Sequence, residues 1–242
     1  MEGKKRVLVT GASKGIGRAV LDYLHEEGYW VTGLARTRPE GLHPEQEFHT
    51  VDLNDLVTVS ELVKKLSAEA PFYGLVNNAA MAPTTSLDDT SLQDMDDSIR
   101  LNLNAPLICT QAVLPGMRSL GAGRIVNLSS RAALGKVNRT AYSAAKAGLV
   151  GMSRTWALEL ARDGITVNVI APGPIATELF RRASPPDDPK TKALVAAVPL
   201  NKIGEPADIA HAVSFLLHER CGFMTGQTLH IDGGLTVSAV KL

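Results

Sequence analysis

Two side chains with complementary acid–base chemistry lie four residues apart in the segment Tyr142-Ser-Ala-Ala-Lys146. On a helix, this spacing places the phenol and the ammonium one turn apart on the same face. A free tyrosine has a pKa of about 10, and a neighbouring cation stabilises the phenolate and lowers that pKa. The pair by itself fits a proton-transfer site, but it equally fits an amphipathic tyrosine beside an unrelated surface lysine. Other residues must decide between the two.

A glycine-rich turn near the N-terminus has the residue types that a dinucleotide requires. It reads Thr10-Gly11-Ala-Ser-Lys14-Gly15-Ile-Gly17, directly after a short apolar run and before a helical pattern. Glycines let the backbone turn tightly and approach a pyrophosphate, and the positive end of the following helix favours the anion. The spacing differs from the common Gly-x-Gly-x-x-Gly, but the strand–turn–helix context is the required one. The turn therefore predicts dinucleotide binding.

The end of the second apolar run, Leu34-Ala35-Arg36, indicates which dinucleotide binds. A site for NAD usually has an acidic residue here that accepts a hydrogen bond from the ribose 2′-hydroxyl. This chain has the small Ala35 and then Arg36, while Lys14 lies in the glycine-rich turn. Two cations can flank the 2′-phosphate of NADP, which a carboxylate would repel. We predict NADP rather than NAD; the alternative is that both cations are solvated surface charges.

Six motifs occur in a fixed order along the chain: Gly11-xxx-Gly15-x-Gly17, Asn77-Asn78-Ala79-Ala80, Asn102, Ser130, Tyr142-xxx-Lys146 and Pro172-Gly173. Together they resemble the short-chain dehydrogenase/reductase family, from Val7 to Gly234, and in style the 3-oxoacyl-acyl-carrier-protein reductase subgroup. The resemblance implies a Rossmann-like domain with a seven-stranded parallel sheet, commonly in a homotetramer. It also implies an oxidoreductase that transfers hydride between NADPH and a carbonyl substrate.

The resemblance further implies a role for each matched residue. Tyr142 is the general acid in carbonyl reduction and the base in alcohol oxidation, while Lys146 lowers the pKa of Tyr142 and binds the nicotinamide ribose. Ser130 donates a hydrogen bond to the substrate oxygen, and Asn102 holds a water in a proton relay. Contacts with the cofactor are expected from Tyr142 and Lys146 and from Gly11, Ser13, Lys14, Gly15, Ile16, Gly17, Arg36, Asp52, Leu53, Asn78, Ala79, Ala80, Pro172, Gly173, Ile175 and Thr177.

Two departures from the family pattern affect these assignments. Ala80 replaces a glycine, and we expect its methyl group to be tolerated. The catalytic serine of the family usually lies thirteen residues before the tyrosine, which would be Ser129, whereas Ser130 matches by its position at the end of a strand. We choose Ser130 and keep Ser129 as the alternative.

The substrate is less constrained than the reaction. Family members that act on acyl carrier protein tend to have arginines before the fifth strand and at the end of the Tyr-Lys helix. The matching stretches here are Gly121-Ala-Gly123 and Arg162-Asp163-Gly164, and Asp163 would repel an acidic carrier. We therefore favour a free ketone, aldehyde or alcohol over a 3-oxoacyl carrier thioester, which stays the alternative. A non-catalytic NADP-binding sensor would lack members of the Ser, Tyr, Lys and Asn set, and all are present.

Strands must bring these residues to one edge of a sheet, and short β-branched or apolar runs indicate strands buried on both faces. We expect strands over Arg6–Thr10, Trp30–Ala35, Phe48–Asp52, Gly74–Asn77, Arg124–Leu128, Thr166–Ile170 and Thr228–Ile231. The stretches between them predict helices over Gly15–Glu27, Asp55–Ala68, Leu92–Arg118, Tyr142–Arg162 and Pro206–His218. This alternation predicts an α/β fold with a doubly wound parallel sheet and helices on both faces, as one domain over residues 1–242.

One segment, residues 178–200, breaks this alternation. It contains Pro185-Pro186-Asp187-Asp188-Pro189, which excludes a single regular element. Its place after the carboxyl end of a strand favours a substrate lid over an ordinary surface loop.

Composition restricts the classes of partner. The chain has 242 residues, with 25 Lys and Arg against 25 Asp and Glu, which argues against nucleic acid as a partner. It lacks an apolar run of the roughly 18 residues that a membrane span needs. Cys109 and Cys221 are far apart, and neither they nor the six histidines have the spacing of metal ligands. We expect a cytoplasmic protein in a reducing compartment, with no metal and no membrane segment.

Overall fold

The computed structural model describes residues 3–238. Its strands are β1 (Arg6–Thr10), β2 (Trp30–Ala35), β3 (Glu47–Thr50), β4 (Gly74–Asn77), β5 (Gly123–Leu128), β6 (Ile165–Pro172) and β7 (Thr228–Ile231). They form a seven-stranded parallel sheet in the order β3-β2-β1-β4-β5-β6-β7. The α-helices are α1 (Gly15–Glu26), α2 (Leu56–Glu69), α3 (Leu92–Ile99), α4 (Ala105–Leu120), α5 (Thr140–Leu160), α6 (Glu178–Ala183), α7 (Pro189–Ala197) and α8 (Pro206–Leu217). The predicted fold class is confirmed.

Two apolar layers cover the sheet, one on each face. Side chains alternate along β1, so Val7 and Val9 pack towards α1 and α8, whereas Leu8 packs against α2 and α4. All of β1 is buried, and β5 and β6 are buried over their full length. Burial on both faces explains why these strands read as continuous apolar and β-branched runs.

The strand order reverses between β1 and β4, which pair in parallel with Val7 opposite Gly74. The helices that follow β1 and β4 therefore lie on opposite faces, and a crevice opens at the carboxyl ends of these strands. This topology places the loops after β1, β4, β5 and β6 around one edge of the sheet, where open α/β sheets bind ligands.

The helix predicted over Leu92–Arg118 is not continuous, and this expectation was wrong. The structure has α3, then a π-helical turn over Arg100–Asn104, and then α4. The amide of Ala105 donates to the carbonyl of Arg100, five residues earlier. Pro106 has no N–H, so it cannot donate to the Asn102 carbonyl four residues earlier. In addition, the Asn102 side-chain amide donates to the Ser98 carbonyl at 3.0 Å. Both features interrupt the α-helical ladder at this point.

Smaller differences concern two other segments. The third strand covers Glu47–Thr50 rather than Phe48–Asp52. The segment 178–200 holds two short helices, α6 and α7, with the Pro185-Pro186 stretch between them. Asp188 caps α7 by accepting from the Lys190 amide at 2.7 Å, and Pro189 occupies the first turn, where a proline is favoured. Within residues 3–238, no helix is long and apolar enough to cross a membrane.

Candidate active site

The glycine-rich turn joins β1 to α1 and is held against the end of β4. Gly11 and Gly15 have φ angles of 67° and 57°. A Cβ on Gly11 would lie 2.8 Å from the Ala79 Cα, and a Cβ on Gly17 would lie 2.2 Å from the Gly11 carbonyl oxygen. The Asn78 side-chain amide donates to the Gly11 carbonyl at 3.2 Å. These positions admit only glycine, and they leave a narrow backbone cradle at the start of α1.

The cradle has the electrostatics of an anion site. Lys14 is the N-cap of α1, no side chain caps this end, and the first helical turn contains no acidic residue. The free amides and the helix dipole therefore favour a negative group here. The residues present thus fit the pyrophosphate of a dinucleotide.

Thr10 contributes to this cradle, and the sequence analysis did not single it out. Its buried hydroxyl accepts hydrogen bonds from the amides of Asn78 and Ala79 at 3.0 and 3.2 Å. It thereby fastens the end of β1 to the segment after β4. The sequence does contain a signal for this role, because Thr10 is a polar residue at the end of a buried apolar strand and directly precedes a glycine.

The residues expected at the adenine side lie at the ends of β2 and after β3. Ala35 is buried at the last position of β2, and Arg36 and Lys14 are both exposed. Neither cation has an ion pair or side-chain hydrogen bond with any residue that the structure describes. Asp52 is exposed and accepts from the Asn54 amide at 3.0 Å, while Leu53 is buried.

Tyr142 and Lys146 share one face of α5, as their spacing predicts. The Lys146 Nζ lies 5.8 Å from the centre of the Tyr142 ring and donates to the Leu128 carbonyl at 2.7 Å. Lys146 is 2% exposed, and burial lowers its pKa to about 7. An ammonium with this pKa is only partly charged near neutral pH.

The pKa of Tyr142 differs from the expected direction. Burial raises it, and the Ser130 hydroxyl and the charge of Arg139 oppose this shift. The lowering influence thus comes from Ser130 and Arg139, whereas the sequence analysis assigned it to Lys146. The physical reason is that Tyr142 is itself desolvated, and burial disfavours the charged phenolate.

The two candidate serines have different surroundings. The Ser129 hydroxyl is buried and donates to the Lys146 backbone carbonyl at 2.9 Å. The Ser130 hydroxyl oxygen accepts from the Ala132 amide at 3.1 Å and lies beside the Tyr142 phenol. Because the Ser130 oxygen is the acceptor in its contact with the Ala132 amide, the hydrogen of the Ser130 hydroxyl is available for donation. This geometry favours Ser130 for a contact with a substrate oxygen.

Asn102 lies in the π-helical turn and is fully buried. Its amide nitrogen donates to the carbonyls of Met81 and Ser98 at 3.1 and 3.0 Å, so it joins the turn to the segment after β4. Its Oδ1 is buried and has no hydrogen-bond partner among the described residues. An acceptor of this kind fits a polar group of a ligand or a relay.

The segment after β6 supplies the last of the expected cofactor contacts. Pro172 ends β6, and a Cβ on Gly173 would lie 2.6 Å from the Asp232 Cβ, so the chain passes close to the segment after β7. Ile175 is buried. Thr177 lies 3.2 Å from the position that a Gly15 Cβ would take, and it caps α6. The loop after β6 therefore meets the glycine-rich turn.

A buried polar network behind the site was not predicted. The Asn77 side chain donates to Asn127 Oδ1 at 2.8 Å, and Asn127 donates to Ser153 Oγ at 2.8 Å. Ser153 in turn donates to the Leu149 carbonyl at 2.6 Å. This network joins β4 and β5 to α5, the helix that carries Tyr142, so it fixes the helix relative to the strand ends.

The structure groups three potential metal ligands that the sequence spacing did not suggest. The ligand atoms of His25, His43 and Glu45 lie within 4.8 Å of one another. Glu45 is exposed and pairs with Lys4 at 3.2 Å, and His43 is exposed. His25 lies in the last turn of α1, and we assign the group no role.

Comparison with known proteins identifies the family. The family model described as enoyl-(acyl carrier protein) reductase, one of the short-chain dehydrogenase models, matches residues 11–236. The chain belongs to the short-chain dehydrogenase/reductase family. This membership makes it an oxidoreductase with a Rossmann-type fold, as the sequence motifs predicted.

Two relatives and one solved structure show how close the similarity is. The 3-oxoacyl-[acyl-carrier-protein] reductase of Vibrio harveyi is 35% identical over 97% of this chain and 98% of its own length. A subunit of the (2S)-[(R)-hydroxy(phenyl)methyl]succinyl-CoA dehydrogenase of Thauera aromatica is 38% identical over 96% of each chain. The structure of ElxO with NADP bound superposes with a TM-score of 0.90 at 29% identity, covering 97% of this chain and 99% of ElxO. These short-chain dehydrogenases/reductases match over almost their whole length.

Proposed function

We propose that this protein reversibly reduces a ketone or aldehyde to an alcohol with NADPH. The observation that carries the proposal is the proximity of the Ser130 hydroxyl to the Tyr142 phenol, on the same edge of the sheet as the glycine-rich cradle. Both groups can donate a hydrogen bond to one oxygen atom, which is the requirement for polarising a carbonyl. The bound NADP in ElxO supports the choice of cofactor for a chain of the same fold.

Several parts of the chain would hold NADPH. The amides around Gly11, Ser13, Gly15, Ile16 and Gly17 would bind the pyrophosphate at the start of α1. Lys14 and Arg36 would bind the 2′-phosphate, while Asp52, Leu53, Asn78, Ala79 and Ala80 would line the adenosine half. Pro172, Gly173, Ile175 and Thr177 would surround the carboxamide, and Lys146 would contact the nicotinamide ribose. When bound, the cofactor supplies the hydride.

The protein's own residues handle the proton and the developing oxyanion. Because burial raises its pKa, Tyr142 stays protonated near neutral pH and can donate its proton to the carbonyl oxygen. Ser130 donates a hydrogen bond to the same oxygen. The unpartnered Oδ1 of Asn102 and the Lys146 ammonium provide polar groups behind Tyr142, through which its proton would be replaced. In the oxidation direction, Tyr142 must first lose its proton, which requires higher pH.

A 3-oxoacyl carrier thioester is the second candidate substrate. The names of both close relatives contain an acyl group on a carrier, acyl carrier protein in one and coenzyme A in the other. Asp163, which would repel an acidic carrier, is paired with Arg118 at 2.7 Å, and this pairing reduces the repulsion. The lack of arginines at Gly121–Gly123 still argues for a substrate without the carrier protein.

The test is a screen of NADPH oxidation over ketones, 3-oxoesters, diketones and a 3-oxoacyl carrier thioester, with Tyr142→Phe as the matched control. Turnover that disappears in the variant supports the proposed reaction. If no carbonyl compound is turned over while NADPH binds, the protein is a sensor and the proposal is wrong. A kcat/KM for the carrier thioester that exceeds those of all free ketones would select the second candidate.

A further inference from the structure

We propose that the loop between β5 and α5 forms an anion-binding subsite, so that the carbonyl substrate carries a carboxylate or phosphate group. This inference rests on the proposed carbonyl reduction and specifies its substrate class. The loop contains Arg131, Lys136 and Arg139, and we call residues 131–139 the cationic loop. None of the family motifs described above includes these three cations.

The cationic loop lies next to the reacting groups. Arg131 directly follows Ser130, and Arg139 is the N-cap of α5, three residues before Tyr142. The charge of Arg139 reaches the phenol, because it lowers the pKa of Tyr142 against the effect of burial. An anion held by this loop would therefore lie on the same side of the site as a carbonyl that contacts Ser130 and Tyr142.

The three cations of the loop are not engaged in ion pairs with the described residues, unlike several other arginines of the chain. Arg6, Arg18, Arg118 and Arg181 each form an ion pair at 2.7–2.9 Å. Within residues 3–238, none of the cationic-loop side chains forms one. Burial is the largest cause that lowers the pKa of Lys136, and the charges of Arg139 and Arg131 lower it further. Like charges this close repel one another, and a bound oxyanion would relieve the repulsion.

Arg139 has a second contact that fixes the geometry. Its guanidinium donates to the backbone carbonyls of Ala82 and Pro83, and so it ties the loop to the segment after β4. Arg131 and Lys136 have no such partner among the described side chains and backbone. They are the cations that remain available to a ligand, while Arg139 holds them in position.

The phosphates of the cofactor would not fill this subsite. The glycine-rich cradle follows β1, and β5 is two strands away in the sheet order, which corresponds to roughly 10 Å. Arg36, at the end of β2, is one strand further. Leu134 and Val137, both in the cationic loop, are 64% and 85% exposed. They offer an apolar surface beside the cations, so the geometry fits a substrate with an anionic group and an apolar chain.

The experiment compares charged and neutral forms of one substrate. Two kinds of substrate pair would be assayed with NADPH. In the first, a straight-chain oxo acid is compared with its methyl ester, and the position of the ketone is varied. In the second, the phosphate monoester of a hydroxyketone is compared with the free hydroxyketone. For each pair, the kcat/KM of the charged substrate is divided by the kcat/KM of the neutral one. This ratio is measured for the wild type, Arg131→Gln, Lys136→Gln and the control Arg154→Gln. Arg154 is an exposed cation further along α5. Using a ratio cancels any general effect of a variant on the chemical step.

We expect a ratio of at least about 10 in the wild type, a fall of about 10-fold in Arg131→Gln and a smaller fall in Lys136→Gln. The control Arg154→Gln should keep the wild-type ratio. Added salt should lower the ratio of the wild type, because it screens the attraction between the loop and the anion. The pair with the larger ratio identifies carboxylate or phosphate as the recognised group. A wild-type ratio near 1, or ratios that the loop variants leave unchanged, would overturn the subsite while turnover of the neutral ketones still supports carbonyl reduction. No turnover of any neutral or charged ketone would overturn the proposed function itself.

Discussion

Burial and neighbouring charge act in opposite directions on the Tyr142 phenol. Desolvation raises its pKa, while Ser130 and Arg139 oppose the shift. A protonated phenol suits the reduction direction at neutral pH, because a general acid must hold its proton until the carbonyl oxygen becomes basic. We expect the same environment to make alcohol oxidation slow until the pH is raised.

Replacement of Tyr142 by Phe removes the proton donor and keeps the ring in place. We expect kcat for ketone reduction to fall about 10²–10⁴-fold with little change in NADPH affinity, which steady-state kinetics and fluorescence titration measure. Ser130→Ala should cost about 10²–10³-fold, because the hydroxyl stabilises charge that develops on the oxygen. Ser129→Ala is the matched comparison. A larger loss in Ser129→Ala than in Ser130→Ala would reverse our choice of serine.

We expect Arg36 and Ala35 to determine the preference between the two nicotinamide cofactors. Two charged hydrogen bonds to the 2′-phosphate, reduced by solvent exposure, correspond to roughly a 10- to 10³-fold preference for NADPH in kcat/KM. Arg36→Ala should raise KM for NADPH and leave KM for NADH almost unchanged. Ala35→Asp should shift the preference towards NADH, since a carboxylate accepts from the 2′-hydroxyl and repels the phosphate. Equal use of both cofactors by the wild type would contradict this assignment.

Lys146 gives the stability of the protein a specific pH dependence. Its pKa is about 7 in the folded chain and about 10.4 when unfolded. Between these values the unfolded chain binds a proton that the folded chain releases, so this contribution to stability rises with pH, by at most about 1.4 kcal/mol per pH unit. The variant Lys146→Met has no titrating group at this position and therefore lacks this pH-dependent contribution. Urea unfolding at pH 7 and 9.5 should therefore show the wild type gaining stability relative to the variant, and a constant difference would show that the pKa is not lowered.

At the scale of elements, the π-helical turn over Arg100–Asn104 is the feature that the sequence pattern did not reveal. The apolar periodicity over Leu92–Arg118 is compatible with one long helix, because a single π-turn shifts the register by only one residue. Pro106 carried the relevant information, since a proline leaves the carbonyl four residues earlier without its donor. That carbonyl belongs to Asn102, so the interruption and the candidate site residue coincide.

Pro106→Ala restores the missing N–H and should allow a regular α-helix through this point. We expect the melting temperature to stay the same or rise, while kcat falls at least about 10-fold because Asn102 leaves its place beside the site. Pro115→Ala, in the middle of the same helix α4, is the matched control. It should change stability without a comparable loss of kcat. Equal losses of activity in both variants would show that the π-turn has no special role.

The strands were predictable because buried parallel strands leave a clear apolar signal, and all seven begin within one residue of the predicted start. Helices α6 and α7 were not predictable, since they are short and their prolines and charges read as a loop. The glycine-rich cradle, Ser130 and the Tyr142–Lys146 pair could be placed from spacing and strand ends. The direction of the Tyr142 pKa shift could not, because it depends first on how deeply Tyr142 itself is buried, and burial of one side chain is a property of the packed molecule.

At the scale of the whole molecule, exposed apolar side chains indicate association of several copies. Leu158 on α5 is 82% exposed, and Phe223, just before β7, is fully exposed. Exposed apolar surface marks an interface where it forms a contiguous patch. We expect a homotetramer, for which light scattering should give about four times the 25.7 kDa chain mass. A measured mass equal to that of one chain would contradict the expectation, and Leu158→Glu should shift the mass downwards if α5 is in the interface.

The strand order has a consequence for how the chain folds as it is synthesised. β1 lies inside the sheet and pairs with β2 and β4, so its second partner leaves the ribosome on the order of seconds later. Until then, the inner edge of β1 is an unsatisfied strand edge, which is open to pairing with another chain. After β4 is in place, β5, β6 and β7 join in the order of their translation, each on an edge that already exists. The nucleotide cradle between β1 and β4 is therefore complete before Tyr142 has been made.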